Sequence, residues 1–138
     1  MSKAKILIVE DEFVVAMNLE AILEDRGHQS VGIAPDLDTA LRLAGELPDL
    51  ALVDINLRDG ETGPIIAERL RSRGVDVLFV TANPRMLDRV PGATAIGVLT
   101  KPCDEEVIVA AVDYALSKRH GIPLPSPPAG LTLLRDAA

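Results

Sequence analysis

Five short apolar runs punctuate the chain, at residues 6–9, 31–34, 50–53, 77–80 and 95–99. Each has the length of a strand, and most lack apolar–polar alternation. A strand with one wet face alternates, so unbroken apolar runs predict strands covered on both faces. The segments between them follow a helical period. Val15, Leu19, Ile22 and Leu23 share one face of a helix that stops near Gly27. Asp36 is placed to cap a second helix, with Leu37, Ala40, Leu41 and Ala44 at helical spacing before Pro48. Thr62-Gly63 followed by Pro64 opens a third that ends by Gly74. Asp104 heads a last one, with Ile108, Ala111, Val112 and Ala115 facing inward. Strands alternating with helices predict an open parallel α/β sheet.

Two segments depart from this rhythm. Residues 82–94 carry Pro84 and Pro91 around the small cluster Met86, Leu87 and Val90, so a helix there is short and irregular. Residues 121–138 begin with a run of glycines and prolines and then read Leu131-Thr132-Leu133-Leu134. This divides the chain into a domain over 1–120 and a tail over 121–138. The tail reads as a semi-rigid linker or as an arm whose leucines lie in a groove of this or another subunit.

Composition excludes several classes. With 14 Lys+Arg against 21 Asp+Glu, the net charge is −7. A chain this acidic is a poor match for nucleic acid, whose phosphates need cations. Phe13, Phe79 and Tyr114 are the only aromatics, too few for base stacking. No apolar run reaches the roughly 20 residues of a membrane span, and the apolar run at residues 6–9 is too short for a signal-peptide core. Cys103 is the single cysteine, which excludes an internal disulfide. These features predict a cytoplasmic protein. The expected assembly state is a monomer or weak dimer.

In an open parallel sheet, ligands bind beyond the carboxyl ends of the strands. The first run ends in Glu10-Asp11, the third in Asp54, the fourth in Thr81-Ala82 and the fifth runs on to Lys101-Pro102. Singly, each has an ordinary reading as helix terminus, turn, cap or surface charge. Together they place three carboxylates at one edge. At a separation of about 5 Å and an effective dielectric of about 20, each pair costs roughly 3 kcal/mol. A bound cation relieves this, and hard oxygen donors point to Mg²⁺. A divalent ion beside an aspartate, a lysine and a threonine hydroxyl is a set suited to phosphoryl transfer, with the aspartate as nucleophile.

These residues, in the pieces Ile-Leu-Ile-Val-Glu10-Asp11-Glu, Leu-Val-Asp54-Ile-Asn56-Leu, Leu-Phe-Val-Thr81-Ala82 and Leu-Thr-Lys101-Pro102, resemble the receiver domain of two-component response regulators. The resemblance spans about residues 3–119. It implies a flavodoxin-like (βα)₅ fold with strand order 2-1-3-4-5. It also implies that Asp54 accepts a phosphoryl group from a sensor histidine kinase or histidine phosphotransfer protein. By the same match, Asp11 binds Mg²⁺ directly, Glu10 mostly through water, and the Asn56 carbonyl is a further ligand beside Asp54. Thr81 and the Ala82 N–H hold phosphoryl oxygens, Lys101 pairs with them, and the Lys101–Pro102 bond is cis.

The sequence departs from the family pattern at three positions. Arg58 replaces a common proline, Val98 a common aromatic, and Cys103 a common phenylalanine. Cys103 reads as a small buried hydrophobe. The leading expectation is a single-domain response regulator, not an enzyme beyond its own phosphorylation and dephosphorylation. It would act on an output protein or serve as a phosphoryl shuttle or sink. The alternatives are a receiver fragment of a longer regulator with an output domain, and a pseudo-receiver adaptor that works without phosphate. A haloacid-dehalogenase-type phosphatase needs an acid two residues after the nucleophile, and Asn56 stands there.

Overall fold

The computed structural model describes residues 3–85, 94–122 and 126–134. A six-stranded sheet runs in the order β2-β1-β3-β4-β5-β6. Its strands are β1 (Lys5–Val9), β2 (Gln29–Ala34), β3 (Leu50–Val53), β4 (Asp76–Thr81), β5 (Gly97–Thr100) and β6 (Leu131–Leu133). The first five are parallel in the order 2-1-3-4-5, as the apolar runs imply, and β6 is antiparallel to β5. The helices are α1 (Phe13–Asp25), α2 (Leu37–Leu43), α3 (Gly63–Ser72) and α4 (Glu105–Arg119). The short helix expected within residues 82–94 falls largely on residues 86–93, outside the described residues.

The absence of alternation in the strands has a direct cause. Ile6 and Ile8 of β1 face α1 and α4, where they join Leu19, Leu23, Ile108 and Ala111. Leu7 and Val9 face α2 and α3, where they join Ala40, Ile66, Ala67 and Leu70. Both faces of the strand are dry from Ile6 to Val9, so each of these positions is apolar. Phe79 is fully buried in the second layer, and its truncation to alanine would cost about 3–5 kcal/mol.

Helix starts follow the sequence in part. The Asp36 carboxylate accepts from the Thr39 N–H at 2.9 Å, a side-chain N-cap for α2. Asp104 sits at the corresponding position of α4 with extended backbone, but its side chain makes no cap hydrogen bond. The segment 131–133, expected as linker or docking arm, adds the sixth strand.

Candidate functional site

The carboxyl ends of β1, β3, β4 and β5 meet at one edge, and the register explains why. Val9 pairs Val53, Val53 pairs Phe79, and Thr81 pairs Thr100. The chain then leaves each strand within one or two residues, delivering Glu10, Asp54, Thr81 and Lys101 to the same rim. Backbone bonds hold the exits: Glu10 N–H donates to Ala34 O, Asp54 N–H to Val9 O and Lys101 N–H to Thr81 O, at 2.8–2.9 Å.

Carboxylate oxygens of Glu10, Asp11 and Asp54 lie within 4.8 Å of one another. Glu10 and Asp54 are buried and Asp11 is exposed. The Lys101 ammonium donates to Asp54 Oδ2 at 2.8 Å and also to Glu10 Oε1. The chain therefore supplies its own cation to two of the three carboxylates, which the repulsion argument from sequence did not include. The Ile55 N–H donates to Asp54 Oδ1 at 2.7 Å, and the Asp11 N–H donates to Glu10 Oε2 at 3.1 Å.

Burial pushes the Glu10 carboxyl up to about 7, with Asp54 adding to the rise and Lys101 opposing it. Burial works against the Lys101 charge too, but hydrogen bonds to Asp54 and Glu10 outweigh it and raise its pKa above the ordinary lysine value. Three hard oxygen donors at this spacing fit a divalent cation such as Mg²⁺.

Thr81 is almost fully buried at the end of β4, and its hydroxyl oxygen accepts from the Asn83 N–H at 3.1 Å. Ala82 and Asn56 stand exposed in the adjoining loops. The Lys101–Pro102 peptide is cis. Cys103, read from sequence as a small buried hydrophobe, is partly buried: from the loop before α4 it packs against the core layer of α1 and α4, and its thiol donates to Thr100 O at 3.1 Å.

Two contributors were not legible. Gly63 donates its N–H to Ile55 O at 3.0 Å, and a Cβ there would lie 2.1 Å from Asp54 O. Only glycine lets α3 start against the backbone of Asp54 and Ile55, just beyond β3. Its one sequence signal is its place between Thr62 and Pro64, which reads equally as an ordinary helix start. Arg58 forms an ion pair with Asp36, and Asp59 accepts from the Leu37 N–H at 3.1 Å. The loop after Asp54 is thus tied to the start of α2, where the common family sequence has proline. Hydrogen bonds from Thr39, then the Arg58 guanidinium, hold the Asp36 carboxyl down at about 2.

Beside this edge, α1 exposes Phe13, Val14 and Met17. A cavity of about 500 Å³ opens between Val14 and Lys101, lined also by Leu19, Val80, Pro102 and Cys103 among others.

A mostly parallel flavodoxin-like sheet with carboxylates and a lysine at its carboxyl edge defines the class. The chain belongs to the response regulator receiver domain family, which matches residues 6–113. It is 35% identical over 115 residues to the phyllosphere-induced regulator PhyR of Methylorubrum extorquens, covering 81% of this chain and 43% of that protein. The solution structure of the Erythrobacter litoralis PhyR receiver domain superposes with a TM-score of 0.72 at 34% identity, covering 94% of this chain and 98% of that one. The crystal structure of the anti-anti-sigma factor PhyR from Bartonella quintana gives a TM-score of 0.76 at 30% identity, covering 88% of this chain and 50% of that one. The chain thus spans about half the length of the full-length PhyR proteins it matches. Among the described residues, no helix is long and apolar enough to cross a membrane.

Proposed function

We propose that this receiver domain accepts a phosphoryl group on Asp54 from a phosphohistidine and signals through the resulting acyl phosphate. The observation that carries the reading is the Lys101 ammonium set between Asp54 and Glu10, with Asp11 beside them. An Asp54 carboxylate oxygen forms the new O–P bond as the P–N bond to imidazole breaks, and the imidazole leaves with the electron pair and takes up a proton. Lys101, already held at Asp54, pairs with the charge that the phosphoryl oxygens bring. The Thr81 hydroxyl, which accepts from Asn83, has its proton free to donate to a phosphoryl oxygen. Glu10, Asp11, Asp54 and the Asn56 carbonyl would hold Mg²⁺, which when bound supplies positive charge to the phosphoryl oxygens. The domain catalyses no reaction beyond its own phosphorylation and dephosphorylation.

The donor is a sensor histidine kinase or histidine phosphotransfer protein, in the cytoplasm. The exposed Phe13, Val14 and Met17 beside the site support a protein docking there. Output is by contact with another protein, or the domain is a phosphoryl shuttle or sink. A second reading, an adaptor whose partner contact needs no phosphate, draws on the likeness to the Bartonella quintana anti-anti-sigma factor PhyR.

Incubation with acetyl phosphate and Mg²⁺ tests the leading reading by intact mass. One added phosphoryl group is expected, lost in Asp54→Asn and prevented by EDTA. Equal labelling of Asp54→Asn overturns the assignment. No labelling of the unaltered chain favours the adaptor.

A further inference from the structure

A parallel sheet built from strand–helix units ends in a row of unpaired backbone groups. At β5 that edge is filled by the chain's own tail. Gly97 pairs with Leu133, Val98 with Thr132 and Leu99 with Leu131, and the Leu134 N–H donates to Ile96 O at 3.1 Å. The fit is specific. A Cβ on Gly97 would lie 2.6 Å from Thr132 O and 2.9 Å from Leu131 Cδ1, so the strand approaches only because residue 97 has no side chain. Leu131 is 7% exposed and enters the core layer of α1 and α4, while Leu134 packs on the opposite layer. The edge thus receives an extended backbone together with one apolar side chain on each face.

The hold is short. β6 has three residues, and Thr100, the last residue of β5, has no partner in it. The connection from α4 contains Pro123, Pro125, Pro127 and Pro128, none of which has an N–H to donate. Such a strand opens more readily than β1, β3 or β4, which are paired on both sides.

We propose that the β5 edge is a strand-acceptor site, filled in cis by β6, at which an extended segment of another protein with an apolar–polar–apolar–apolar pattern displaces β6 and pairs antiparallel to residues 96–100. The occupant is a different protein, because a tethered β6 acts at about millimolar effective concentration. A second copy's identical strand has nothing with which to outcompete it. A longer strand can extend the ladder to Thr100, which has no partner in β6 and whose carbonyl accepts from the Cys103 thiol. The inference rests on the sheet edge alone and is independent of the chemistry at Asp54.

The test uses the full chain and a peptide of residues 126–134, titrated by NMR while the amides of residues 96–100 are followed. Leu131→Asp places an unpaired charge where Leu131 is buried. Thr132→Pro removes a ladder donor: Leu134 donates to β5, and alternate N–H groups of an antiparallel strand point the same way. Both variants disable the cis strand and leave β5 intact. Each is expected to bind the peptide at least about tenfold more tightly than the unaltered chain, where the tethered strand competes. Adding Gly97→Val to either is expected to abolish binding while the far-UV circular dichroism stays folded. No gain in either variant, or a gain that survives Gly97→Val, overturns the proposal. A concentration-dependent dimer of the unaltered chain that Leu131→Asp cannot form would assign the edge to a second copy and overturn the choice of occupant.

Discussion

The Lys101 ammonium lies 2.8 Å from Asp54 Oδ2 and also holds Glu10 Oε1, so a single cation from β5 ties together the ends of β1 and β3. Removing it leaves two buried carboxylates without their cation. Lys101→Met is expected to lower the stability of the metal-free protein by about 1–3 kcal/mol, the usual cost of a lost charged hydrogen bond. Mg²⁺ supplies replacement charge, so it should stabilise the variant more than the unaltered chain. Urea unfolding with and without Mg²⁺ measures both quantities. An unchanged midpoint in Lys101→Met without metal would show that the ammonium contributes nothing net.

Asp11 is the exposed member of the acidic cluster, and the Lys101 ammonium bonds the other two carboxylates. Asp11→Asn removes a like charge near Glu10 and Asp54. It is expected to raise metal-free stability by up to about 1 kcal/mol, the scale of exposed charge pairs, and to weaken Mg²⁺ binding. Thermal melts with a Mg²⁺ titration test this. A variant less stable than the unaltered chain without metal contradicts the repulsion argument.

Glu10 and His28 give pH dependences of opposite sign. The folded Glu10 carboxyl titrates at about 7 against an ordinary 4.5. Its contribution to metal-free stability is full below pH 4.5 and is lost as pH rises through about 7. Mg²⁺ competes with that proton, so metal stabilisation should be larger near about pH 8 than near about pH 6. Glu10→Gln should flatten the difference. His28 is buried, its Nδ1 accepts from the Ala4 N–H at 3.2 Å, and burial lowers its pKa below 6.5. Its contribution is present above pH 6.5 and is lost as pH falls through the lowered value. Acid unfolding of the Glu10→Gln chain should therefore retain a limb near and below pH 6.5 that His28→Leu removes.

Val14 is 80% exposed on α1, at the mouth of the cavity that reaches Lys101. Val14→Glu places a charge in this apolar patch without entering the site. Phosphotransfer from the sensor kinase that gives the highest rate with the unaltered chain is expected to slow about tenfold, the scale of an interface residue worth more than 1 kcal/mol. Labelling by acetyl phosphate should be unchanged. Equal slowing with both donors would place the effect in the site rather than at a docking surface.

How much the sequence reveals follows burial. Residues 6–9 and 50–53 match β1 and β3 closely because both faces of each strand are dry, which removes ambiguity about period. β2 begins two residues earlier than its apolar run, since Gln29 and Ser30 are polar yet pair with Lys5 and Ile6 at the sheet edge. β5 begins at Gly97 rather than Ala95, because Ala95 and Ile96 are apolar but precede the ladder. β6 was not legible as a strand: three residues carry too little pattern, and their pairing depends on the space left at Gly97. At the site, Glu10, Asp11, Asp54 and Lys101 were legible because each closely follows an apolar run. The link from Arg58 to Asp36 and the approach of Gly63 to Asp54 depend on which loops become neighbours, and no local signal carries that.

The route by which the phosphoryl group proposed at Asp54 would reach the rest of the domain is expected to turn on Thr81 and Val98. Val98 stands where the family often has an aromatic. Here it is 5% exposed and pairs with Phe79 on one side and Thr132 of β6 on the other. A β-branched side chain with one torsion, enclosed in this way, has no second position to turn into. Thr81 is different: its hydroxyl already contacts the Asn83 N–H at 3.1 Å, so a shift of the hydroxyl toward the phosphoryl group strains or breaks a bond to the next loop. The change should therefore leave the site through residues 82–94, of which 86–93 lie outside the described residues. Hydrogen exchange with and without beryllofluoride and Mg²⁺ is expected to show its largest difference in residues 82–94, the Asn83 amide included. β5 around Val98 should change little. Thr81→Ala should suppress the difference while leaving Asp54 open to labelling by acetyl phosphate. A change confined to residues 54–63, equal in Thr81→Ala, would show that the signal leaves by the loop that Arg58 ties to α2.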